Sequence, residues 1–103
     1  KDDLRKLIYR NIVSYEDSVK SVVMKTVLGE ADVGVVYSSD AQLEHVMDNT
    51  YTIDIPKDLN VTGTYYAVKG QREGNSDLQN KFLTFLQSDI AKSILQEYGF
   101  DTE

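Results

Sequence analysis

Apolar positions along the chain follow two periods. Val19, Val22, Val23, Thr26 and Val27 fall at i, i+3, i+4, i+7 and i+8, the stripe of an amphipathic helix. Four of the five are valines, which are mediocre helix formers, so this helix should depend on packing. Ser14 with Asp17 fits a capping-box start, and Asp17 or Ser18 fits a start one turn later. Gly29 is a natural stop, because it adopts the left-handed conformation that ends helices. Residues 32–37 then form a short apolar run before Ser38-Ser39-Asp40, too brief for a helix and predicted as a buried strand. Gly34 inside it predicts close approach of another backbone.

The same reading extends to both ends. Leu4, Leu7 and Ile8 predict a short helix capped by Asp2 or Asp3 and ended by Asn11, with Ile12-Val13 as a brief strand. Ser38 to Asp40 can cap one or two turns through Leu43 and Val46. Tyr51, Ile53 and Ile55 alternate with Thr52 and Asp54, a strand stopped by Pro56, the single proline. Residues 57–62 read as a polar loop, and 65–68 as a further strand ended by Lys69-Gly70. Ser76 can cap a helix with Leu78, Phe82, Phe85 and Leu86 on one face. Ser88-Asp89 opens another, with Ile90, Ala91, Ile94, Leu95 and Tyr98, stopped by Gly99, after which Phe100 folds back on the last turn. Helix and strand patterns in alternation predict an α/β fold: a mixed, mostly parallel sheet of 32–37, 51–55 and 64–69 with helices on its faces, in one domain over residues 1–103.

Composition narrows the function. The 103 residues carry a net charge of −6 and a pI near 4.7, the wrong sign for a nucleic-acid partner. There is no cysteine, so disulfide and thiolate chemistry are excluded. No apolar run approaches the roughly 20 residues that span a bilayer. His45 is the single histidine; it has no partners at metal-ligand spacing, and no serine stands in a nucleophile context. The sequence therefore predicts no catalytic residue, no metal site, no cofactor and no enzyme activity.

The central block, helix followed by GEADVGVVYSSDA, resembles the second lobe of the periplasmic molybdate-binding proteins, the oxyanion receptors of ABC importers. The closing FLTFLQSDIAKSILQEYGF resembles the last segment of many solute-binding proteins. The resemblance implies a single lobe of a periplasmic-binding-protein-like fold that contributes half of a cleft for a tetrahedral oxyanion, molybdate or tungstate. It also implies a first lobe outside these residues, ABC importer membrane subunits as partners, and a periplasmic or extracellular location, with membrane anchoring through a preceding segment. A lobe presented alone would expose its cleft face and invite self-association.

The site residues implied by the resemblance are the backbone N–H of Val19 and the hydroxyl of Tyr37; Ser18, at the start of the same helix, is added as a third donor. The start of a helix offers unpaired N–H groups and partial positive charge to an anion, which suits this role. Read without the resemblance, Tyr37 is a core tyrosine whose hydroxyl meets a backbone partner. An interaction or sensory module of the same fold, without an oxyanion role, is the alternative function.

Overall fold

The valine stripe folds as α2, Val19–Val27, in a computed structural model that describes residues 2–71 and 74–102. Its inward face is the one the period marks: Val23 is buried, and Val19, Val22, Thr26 and Val27 are half-buried, while Lys20 and Met24 face solvent. The remaining helices are α1 (Asp2–Arg10), α3 (Ser38–Ala41), α4 (Glu44–Met47), α5 (Ser76–Leu86) and α6 (Asp89–Glu97).

Most helix ends are closed by groups within a few residues. α2 ends on Gly29 at φ +74°, with Gly29 N–H donating to Thr26 O (3.1 Å) and Glu30 N–H to Lys25 O (2.9 Å). α6 ends the same way on Gly99 at φ +82°, through Gly99 N–H to Gln96 O (3.0 Å) and Phe100 N–H to Leu95 O (3.0 Å). Both are Schellman closures, which need the left-handed glycine. Elsewhere side chains reach back one turn: Asn11 Nδ2 to Leu7 O (2.8 Å), Asn49 Nδ2 to His45 O (2.8 Å), Thr50 Oγ1 to Val46 O (2.6 Å) and Ser88 Oγ to Phe85 O (2.6 Å). Ser88 then caps α6 by accepting from Ala91 N–H (3.2 Å).

The chain forms two compact units, Lys1–Tyr51 and Thr52–Glu103. In the first, α2, α3 and α4 each supply one buried residue, Val23, Ala41 and Val46, and α3 packs on both of its neighbours. α1 buries none of its side chains. In the second, α5 packs on α6, Ala91 is the buried residue, and Tyr65 meets the ring of Phe100 edge-on at 6.5 Å between centroids.

The expected mixed, mostly parallel sheet is absent, and with it the α/β class. Among the described residues no strand forms at 12–13, 32–37, 51–55 or 64–69; all are non-helical and unpaired. Alternation and β-branching express a local preference for a pleated, half-buried backbone, but a strand exists only through bonds to a neighbour. Val33, Val35, Tyr51, Ile53, Tyr65, Tyr66 and Val68 are all at least 74% exposed. Runs that bury so little gain no hydrophobic stabilisation to offset the entropy of ordering a ladder.

Candidate functional site

The N-terminus of α2 is built by Ser18. Its backbone is extended (φ −142°, ψ +151°), and its hydroxyl oxygen accepts from Ser21 N–H at 3.2 Å and lies 3.0 Å from Ser21 Oγ. Of the two starts the sequence allows, the later one forms. Val19 is the first helical residue, so its N–H is one of the donors that helix geometry leaves without an intrahelical acceptor. The Ser18 carbonyl accepts from Val22 N–H at 3.3 Å.

Ser14, the earlier capping candidate, is used differently. Lys25 Nζ, from the last turn of α2, donates to Ser14 Oγ at 3.2 Å and forms an ion pair with Glu16 at 2.5 Å. Lysine side chains on a helix lean toward its N-terminus, so Lys25 reaches back along α2 to the segment that enters it. The pair is partly shielded, with the Glu16 side chain 18% exposed and that of Lys25 36%. The Lys25 ammonium, aided by the Ser14 hydroxyl, holds the Glu16 carboxyl below its ordinary range, and Glu16 in turn raises Lys25. Nothing in the sequence pattern signals this contact, because Glu16 lies outside the helix and no i, i+4 relation connects residues nine apart.

Tyr37 stands just before α3, with its carbonyl accepting from Asp40 and Ala41 N–H at 3.0 and 3.2 Å. It is 53% exposed, so it is not the core tyrosine that the residue pattern alone allows. The segment that leads to it meets α2 at Gly34. A Cβ at Gly34 would collide with Thr26 Oγ1 and stand 3.0 Å from Val22 Cγ1. The close approach that the glycine signals is therefore real, but it is to α2 side chains rather than to another strand.

Within the second unit a cavity of about 200 Å³ is lined by Ala67, Val68, Lys69, Gly70, Gln79, Phe82 and Leu83. Lys69 Nζ there donates to Ser76 Oγ (3.2 Å) and Asn80 Oδ1 (3.1 Å), and Gln79 Oε1 is buried without a partner among the described residues. The sequence pattern does not mark this place. His45 sits exposed in α4, and no group of three metal-ligating side chains occurs among the described residues.

Comparison with known proteins follows the same line. A family model described as bacterial extracellular solute-binding protein matches residues 3–101. The chain is 31% identical over 93 residues to the molybdate-binding protein ModA of Mycobacterium bovis, and equally to that of Mycobacterium tuberculosis. Each alignment covers 90% of this chain and 35% of the relative, so the chain spans about a third of the length of the curated proteins it matches. No solved structure matches. Among the described residues no helix is long and apolar enough to cross a membrane.

Proposed function

This chain belongs to the bacterial extracellular solute-binding protein family, and on that premise we propose that it is part of a receptor for a tetrahedral oxyanion of the molybdate or tungstate type. In this reading it contributes one lobe's share of the ligand cleft, works outside the cytoplasm, and hands the anion to the membrane subunits of an ABC importer. The relatives named as molybdate-binding support the ligand class.

The observation that carries the reading is the Gly34 contact, which ties the segment bearing Tyr37 to the helix whose first N–H belongs to Val19. Val19 N–H and the Tyr37 hydroxyl act as neutral donors to the anion. The Ser18 hydroxyl, whose oxygen accepts from Ser21 N–H and shares a hydrogen bond with Ser21 Oγ, serves as a third donor when Ser21 Oγ supplies the proton of that shared bond. Neutral donors suit a buried dianion: each hydrogen bond to the charged ligand contributes about 1.5–3 kcal/mol, and no lysine has to be desolvated with it.

Isothermal calorimetry on the full-length protein as its gene encodes it, with molybdate, tungstate and sulfate, tests the proposal. Tyr37→Phe should weaken molybdate about tenfold, the loss of one charge-assisted hydrogen bond. Unchanged affinity would remove Tyr37 from the site, and a protein that binds none of the three anions would end the oxyanion reading.

A further inference from the structure

The approach to α2 is acidic, with Glu16 and Asp17 two residues and one residue before Ser18. Carboxylates there favour the helix dipole but repel an incoming anion. Glu16 lies three residues from Val19, at most about 11 Å between Cα atoms, which is close to the screening length of physiological salt. The two acids differ in surroundings. Asp17 is exposed, where water screens its charge. Glu16 is half-buried, with its side chain 18% exposed. Glu16 is also the one that Lys25 holds, from the far end of the same helix.

We infer that the Lys25–Glu16 pair is a charge-neutralising clamp that lets an acidic helix entry accept an anion, so that Lys25 is a positioning residue for oxyanion binding that never touches the ligand. The inference rests on the oxyanion reading above. Lys25 does two things at once. Its ammonium cancels the shielded carboxylate nearest the proposed donors, and its bonds to Glu16 and Ser14 fasten the segment 14–16, and so the capping Ser18, to the body of α2. A lysine placed directly on the ligand would add a charge that the anion must share with solvent. Placed behind Glu16, it removes a repulsion and leaves recognition to neutral donors.

The clamp predicts a charge pattern that a purely structural role does not. In calorimetry with molybdate on the full-length protein, Lys25→Met should weaken binding about five- to tenfold, the effect of one uncompensated negative charge on a dianion about 8–10 Å away. Glu16→Gln should tighten binding severalfold, since the ammonium is then uncompensated. The double variant should return to within about twofold of the parent. Raising sodium chloride from 50 to 500 mM should close most of the gap between Lys25→Met and the parent, because salt screens the exposed repulsion.

Lys25→Met with parental affinity overturns the inference. So does a double variant as weak as Lys25→Met with no response to salt, which would make Lys25 a structural tie only. A parent protein that binds no molybdate overturns the oxyanion reading and this inference together, an outcome distinct from the other two.

Discussion

Gly34→Ala tests the contact that ties the segment before Tyr37 to α2. Gly34 does not have a positive φ, so alanine fits its backbone and the effect comes from space alone. The new methyl would meet Thr26 Oγ1 and Val22 Cγ1, with Thr26 Cβ 3.6 Å away. Thr26 cannot turn aside without cost: its hydroxyl donates to Val22 O at 2.9 Å, and a β-branched side chain in a helix has few rotamers. Overpacking of this kind costs about 1–3 kcal/mol. Alanine also restricts the unfolded chain, which offsets about 0.4–1 kcal/mol. The net expectation is a loss of roughly 0.5–2 kcal/mol, read as a lower urea midpoint at unchanged slope. Thr26→Ala should make room for the methyl, so the double variant should be more stable than the sum of the singles by about 1 kcal/mol. A Gly34→Ala protein as stable as the parent, or strict additivity with Thr26→Ala, would refute the close packing of Gly34 on α2.

Three further outcomes follow from the structure. Val23→Asp places a carboxylate at a buried position without a partner and should cost several kcal/mol, enough to abolish a cooperative circular-dichroism melt. Ser88→Ala removes both the bond to Phe85 O and the cap on Ala91 N–H, and should lower stability by about 0.5–2 kcal/mol in a denaturant titration; no change would show the α5–α6 corner to be held by packing alone. Because the Glu16 carboxyl titrates below its ordinary 4.5 when folded, its pairing stabilises fully above that pH and is lost as pH falls through the lower folded value; Glu16→Gln should therefore flatten the acid limb of a plot of Tm against pH, and an identical limb would mean that the pair does not form in solution.

What the sequence discloses and what it conceals divide along the range of the interactions. The α2 stripe, the stops at Gly29 and Gly99, the cap at Ser88 and the fold-back of Phe100 each depend on residues within one or two turns, and each is readable. The sheet is not, because period-2 runs such as 51–55 describe one side of a pairing and say nothing about whether the other side exists. Gly34 signals that something comes close without telling a helix side chain from a strand. Ser18 rather than Ser14 caps α2, and the Ser14 hydroxyl instead accepts from Lys25, a contact that no capping rule includes. Among the proposed site residues, the capping position of Ser18 follows from the local pattern, whereas the roles of Val19 and Tyr37 depend on a family likeness.

The way the helices end has a consequence for how the chain acquires its shape. Gly29, Gly99, Asn11, Asn49, Thr50 and Ser88 all satisfy carbonyls that lie three or four residues behind them. No distant segment has to arrive before those termini are complete. Where each of these helices stops is thereby written in its near neighbours, while helices of 11 residues or fewer still need packing to persist. In the first unit that packing includes the fit of Gly34 against Thr26 and Val22.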